Sequence, residues 1–139
     1  DLNQKLPFAD SSFDAITAIE VIEHLENPRG FLREVYRALK PEGFLILTTP
    51  NNESLTSLFS LATRGYYSAF APACYPAHIT PLLEIDLRRI FKELEFREIR
   101  LDWTNQGRIP CTNSHWQNIL GPLAHGKRFS DNLLISAKR

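Results

Sequence analysis

Glu20, Glu23 and His24 stand at positions i, i+3 and i+4, so one helical turn sets two carboxylates and an imidazole on a common face. An imidazole titrates near neutral pH and suits a general base, a role open to His24 and to His78. A structural cap is the alternative for His78, which closes a long loop just ahead of a helix. Glu20 directly follows a strand, and the ends of strands at the switch point of an open α/β sheet are where ligand groups gather. A plain surface glutamate is the alternative there. Cys74 and Cys111 lack any metal-ligand spacing and read as idle thiols of a reducing compartment. His115 and His125 read as surface residues.

These groups need elements to place them. The short apolar run Phe13 to Ile19 predicts a strand covered on both faces, and Glu20 to Leu25 an abrupt charged turn. Asn27 offers an N-cap and Pro28 a first helical position. In that helix Phe31, Leu32, Val35, Tyr36 and Leu39 share one face, and Lys40 ends it with favourable charge. Pro41-Glu42-Gly43 turns the chain into a second buried-type strand, Gly43 to Thr49, which makes a βαβ unit of right-handed crossover. Ser54 to Ala62 is a short helix, and Arg64 to Pro81 a long loop without period, of the kind used as lids. Pro81 to Glu95 is amphipathic with Leu83, Leu87, Ile90, Phe91 and Leu94 inward, and Phe96 to Trp103 alternates as a strand. Trp116 to Leu123 forms a further short helix and Asp131 to Lys138 the last strand. The fold class is α/β. Three regions follow: a βαβ core at 1–51, a lid-like region at 52–81, and a helix with C-terminal strands at 82–139.

Composition narrows the partners. Sixteen basic residues balance sixteen acidic ones among 139, so no basic excess advertises nucleic-acid binding. The longest apolar stretch, near Gly43 to Pro50, is far too short to cross a bilayer, and a cytoplasmic setting is expected. The absence of methionine, including an initiator, predicts an excised piece of a longer protein.

Four phrases in order resemble the class I S-adenosylmethionine-dependent methyltransferases: Leu6-Pro7-Phe8 with Asp10 and Ser12-Phe13-Asp14; Glu20-Val21-Ile22-Glu23-His24-Leu25; Arg37-Ala38-Leu39-Lys40-Pro41-Glu42-Gly43; and Thr49-Pro50-Asn51. A looser likeness runs from His78 to Phe96, with Glu95-Phe96 where the family often has Gly-Phe. The resemblance implies a Rossmann-like sheet of seven strands with helices on both faces. Here it is the C-terminal part, strands 4 to 7, with the last strand antiparallel. The first three strands and their glycine-rich cofactor turn are not in this stretch, so the resemblance predicts a piece that binds S-adenosylmethionine weakly and is inactive alone.

Carried onto this chain, the resemblance puts Asp1 and Leu2 against the adenine, and Ile19 and Glu20 beside the methionine part of the cofactor. A carboxylate at Glu20 would balance the sulfonium or the ammonium. The Glu-x-x-Glu-His grouping also resembles the metal motif of small-RNA 2′-O-methyltransferases and some ubiquinone-pathway O-methyltransferases. That likeness implies a divalent ion, such as Mg²⁺, on Glu20, Glu23, His24 and His78 that lowers the pKa of the acceptor hydroxyl. Otherwise His24 packs beneath the cofactor and no metal is used, which is the favoured expectation. Tyr66, Tyr67, Phe70 and Tyr75 line an acceptor pocket or form a loosely packed flap. The implied activity is methyl transfer to a small-molecule acceptor, at oxygen sooner than nitrogen or carbon. A methyltransferase-like domain kept for interaction, and a nucleotide-binding dehydrogenase, are the competing readings.

Overall fold

The computed structural model describes residues 1–139. Its frame is β1 (Phe13–Ile19), α1 (Pro28–Ala38), β2 (Leu39–Pro50), α2 (Leu55–Arg64), α3 (Glu84–Glu93), β3 (Arg97–Trp103), α4 (Trp116–Leu120) and β4 (Asn132–Lys138), with short 3-10 turns between. The sheet runs in the order β1-β2-β4-β3. β1 and β2 are parallel, while β4 enters between β2 and β3 antiparallel to both. The expected antiparallel last strand is therefore an inserted strand, seated inside the sheet.

Local chemistry explains the connections. The Asn27 side chain accepts from Gly30 N at 2.8 Å and Pro28 opens α1, as an N-cap followed by N1 proline should. Phe31, Leu32 and Val35 of α1 are buried. At the crossover into β2 it is Glu42 that takes the left-handed φ of 65°. Gly43 is needed for close approach instead: a Cβ there would stand 2.9 Å from Lys40 O and 3.1 Å from Asp14 O. α3 begins at Glu84, with Asp86 accepting from Leu83 N, so it is shorter than the Pro81 to Glu95 expectation. Proline at 81 and the extended backbone at Leu83 keep the preceding residues out of the helix.

The core occupies one face of the sheet. Leu45, Leu47, Leu133, Ile135 and Ala137 point into it and meet Phe31, Leu32 and Val35 of α1 with Leu87 and Phe91 of α3. Residues of the other register on β2 and β4, such as Ile46, Thr48, Leu134 and Ser136, are only half-buried, and Phe44 is exposed. β1, expected to be covered on both faces, is the outer strand of these four, with only Ala18 buried and Ile19 54% exposed; the further strands the resemblance implies are not in this stretch. Beside it lies an apolar concavity of about 310 Å³ whose walls include Leu2, Leu6, Phe8, Ile16 and Phe31.

Candidate functional site

The site gathers at the carboxyl ends of β1 and β2. As β1 ends, Glu20 adopts a left-handed φ of 50°, and its N–H donates to both Thr48 O and Thr48 Oγ1 at 3.1 Å. A non-glycine residue in that region stores strain, and here the pairing with β2 holds it. One Glu20 carboxylate oxygen is buried without a hydrogen-bond partner.

A 3-10 turn over Ile22–His24 follows and buries Glu23 completely. Thr49 Oγ1 donates to Glu23 Oε2 at 3.1 Å, while Oε1 has no partner. Burial pushes the Glu23 carboxyl up from the ordinary 4.5; the charge of Glu20 adds to this, and hydrogen bonds from its own backbone N–H and from Thr49 oppose it. An acid held this way is costly to ionise unless a cation reaches it.

The loop end is clipped to the same turn. Ile79 N and Thr80 N both donate to Glu23 O, at 3.0 and 3.1 Å, and His24 Nδ1 meets Ala77 O at 2.7 Å. His78 is thereby delivered against His24, with ring centroids 4.7 Å apart and edge to face. His78 Nδ1 in turn meets Ala69 O at 2.6 Å. A carbonyl can only accept, so Nδ1 carries the proton in each neutral ring and Nε2 is left as the free lone pair. His24 Nε2 lies 3.8 Å from Glu23 Oε1, with the His24 side chain 38% exposed.

Of the four metal-motif residues, Glu23, His24 and His78 each offer a ligand atom within 4.8 Å of the other two, while Glu20 lies outside that group. Glu20 and His78 share instead a polar cavity of about 370 Å³, lined also by Asn51, Cys74, Arg108 and Asp131. His78 caps no helix; its Nδ1 is spent on Ala69 O. The loop aromatics take separate positions: Phe70 packs on His78 at 5.5 Å, Tyr75 is 75% exposed and Tyr66 lines a neighbouring cavity of about 200 Å³, while Ser68, Ala69 and Cys74 are what this loop offers to the cavity of Glu20 and His78. Asp1 is exposed and its carboxylate accepts from Asn3 N at 2.8 Å, and Leu2 lines the apolar concavity beside β1. Cys74 and Cys111 are free thiols.

Sequence reasoning missed four contributors. Thr49 was legible only as part of a phrase, although a hydroxyl beside a buried carboxylate is what that strand end supplies. Arg108 and Asp131 come from irregular chain and pair at 2.9 Å with no signal in their spacing. Asn51 spends its amide on Lys127 O and Ser130 O, at 2.6 and 2.8 Å, and so ties the end of β2 to the segment entering β4.

Known proteins resemble this chain in part of its sequence and in its fold. Residues 1–47 match the family model described as a methyltransferase domain. A mitochondrial ubiquinone biosynthesis O-methyltransferase of Schizosaccharomyces pombe is 34% identical over 62 residues, covering 45% of this chain and 23% of that protein. The bifunctional biotin biosynthesis protein BioHC of Teredinibacter turnerae is 42% identical over 57 residues, 41% of this chain and 10% of that protein. Among solved structures, a Thermotoga maritima S-adenosylmethionine-dependent methyltransferase, a possible histamine N-methyltransferase, superposes with TM-score 0.67 at 19% identity over 96% of this chain and 59% of its own. A Haemonchus contortus phosphoethanolamine N-methyltransferase in complex with S-adenosyl-L-methionine superposes with TM-score 0.54 at 17% identity, over 95% of this chain and 34% of its own.

The fold is the Rossmann-like α/β sheet of class I methyltransferases, here as four strands with the inserted antiparallel one. Residues 1–47 carry the methyltransferase-domain match, and the solved structures that share the fold over nearly the whole chain are S-adenosylmethionine-dependent methyltransferases. The chain spans about a quarter of the S. pombe relative's length and about three-fifths of the T. maritima structure's. No helix is long and apolar enough to cross a membrane.

Proposed function

We propose that this chain forms one wall of the cofactor site and the acceptor side of a methyltransferase that methylates an oxygen of a small molecule. The Glu20 carboxylate carries the reading. It stands at the carboxyl end of β1, inside the matched segment, with an oxygen buried and unpartnered. An orphaned anionic oxygen at a strand end fits a ligand with cationic centres. S-adenosylmethionine has two such centres, an ammonium and a sulfonium, and when bound it supplies an electrophilic methyl group. Glu20 and Ile19 would flank its methionine part, and Asp1 and Leu2 its adenine. Displacement at that methyl needs an acceptor held in line and kept from water, so positioning is the protein's main task. The Nε2 lone pairs of His24 and His78 are the groups able to take the proton of an acceptor hydroxyl. Transfer to oxygen is supported by the O-methyltransferase relatives in yeast and Rickettsia typhi.

Titration calorimetry with S-adenosylmethionine on the full-length protein that carries this stretch, and on its Glu20→Gln variant, tests this. Binding weakened about tenfold in the variant is expected for loss of one charge-assisted contact. No binding of the parent protein at high micromolar cofactor would favour a domain kept for interaction.

A second reading rests on the group Glu23, His24 and His78. Together they would hold a divalent cation, and the cation would lower the pKa of a coordinated hydroxyl. Two imidazoles and one carboxylate suit Zn²⁺ or a transition ion better than Mg²⁺, which favours oxygen ligands. The two carbonyls on Nδ1 are the outer partners that orient metal-binding histidines.

A further inference from the structure

Behind the cavity that holds Glu20 and His78 lies a second one of about 200 Å³, and Arg108 and Ser68 line both. Its charged lining consists of Arg64 and Arg108, with no acidic residue on its walls. Arg64 forms no ion pair with any carboxylate, and its Nη2 donates to Cys111 Sγ at 3.8 Å. Arg108 uses its Nε on Asp131, which belongs to the lining of the first cavity only, and its terminal nitrogens stay unbonded. The hydroxyl of Ser60 is the independent sign that something is meant to bind. Ser60 is 4% exposed, lines this cavity, and its Oγ has no hydrogen-bond partner. A buried hydroxyl left unmatched costs about 1–3 kcal/mol, and here it shares a wall with guanidinium groups. Hydroxyl donors beside planar guanidinium forks are the chemistry that recognises a phosphate or a carboxylate.

We propose that this second cavity is an oxyanion subsite, so that the acceptor is a small molecule with a phosphate or carboxylate group set apart from the oxygen to be methylated. This rests on the methyltransferase reading for the word acceptor, but the subsite itself is tested without cofactor. Arg64 and Ser60 would donate to the anion, and Arg108 would join the two cavities through its paired and free nitrogens.

The experiment is a ¹H–¹⁵N titration of the full chain at constant ionic strength, with inorganic phosphate in one arm and acetate in the other. Saturable shifts at Ser60, Ser68 and the Arg64 side chain are expected, with a dissociation constant on the order of 1–10 mM for a bare ion. Saturation by phosphate alone assigns a phosphate-bearing acceptor, and saturation by acetate alone a carboxylate-bearing one. Arg64→Gln, at an exposed position, should weaken binding about tenfold. Ser60→Ala should weaken it severalfold without lowering the Tm, since it removes an unmatched hydroxyl. Shifts that fail to saturate in both arms, or equal affinity in Arg64→Gln, would overturn the subsite. Failure of the full-length protein to bind S-adenosylmethionine would sink the methyltransferase reading and leave these titrations untouched.

Discussion

Replacing Glu23 by glutamine should make the metal-free protein more stable, and the gain should depend on pH. Glu23 is fully buried, one carboxylate oxygen has no hydrogen-bond partner, and the other accepts from the Thr49 hydroxyl. Its carboxyl is raised above 4.5 chiefly by burial, with Glu20's charge adding to it. Below 4.5 the acid is protonated in folded and unfolded chains alike, so it carries no penalty. As pH rises, the unfolded chain ionises first, and the folded state loses stability until its own raised pKa is passed. Glutamine keeps the acceptor for Thr49 and cannot ionise. Avoiding a buried, poorly bonded charge is worth about 1–2 kcal/mol, or a Tm higher by about 3–8 °C for a domain of this size. Thermal melts in chelator should therefore show Glu23→Gln above the parent at pH 7.5 and level with it near pH 4. With Zn²⁺ added at about a hundred times its dissociation constant, the parent alone should gain about 2.7 kcal/mol. A variant less stable than the parent at pH 7.5 in chelator would refute the reasoning, as would a difference that ignores pH.

Two further outcomes concern the frame. Glu34 is held below the usual carboxylate range first by its hydrogen bonds from Arg37, against the effect of burial, with Leu6 N donating a further bond. Its contribution is present above 4.5 and lost as pH falls through the lowered value, so Glu34→Gln should lower the Tm by about 2–4 °C at neutral pH and flatten the acid limb of the melt. An unchanged acid limb would count against it. Phe91, fully buried between the sheet and α1, should cost about 3–5 kcal/mol as Phe91→Ala in urea unfolding; a loss under 1 kcal/mol would mean the site collapses around the gap.

Much of the frame was legible because each signal is local. Asn27-Pro28 wrote the start of α1, alternation wrote β3, and apolar runs wrote β1 and β2. What a run of apolar residues does not record is what covers it. Within these four strands β1 is the outer one with Ile19 open, and the further strands that the resemblance implies are not in this stretch. The spacing of Glu20, Glu23 and His24 pointed to one shared face, but the left-handed turn at Glu20 breaks the helical geometry and sends its carboxylate towards the cavity instead. The meeting of His24 with His78 depends on hydrogen bonds across 53 positions, which no periodicity encodes. The same is true of Arg108 beside Asp131 and of Arg108 beside Arg64: their chemistry is ordinary, and only the fold makes it convergent.

The clip between the loop end and the 3-10 turn has a consequence for how such a site changes over generations. It is made of peptide groups, Ile79 N–H and Thr80 N–H on Glu23 O, with Ala77 O on the His24 ring. Every residue except proline carries that N–H, so side chains from Tyr66 to Ala77 are free to drift while His78 stays in register. The loop behaves as an interchangeable faceplate on a fixed hinge-pin, and new acceptors can be explored by editing the plate without disturbing the groups that do the chemistry.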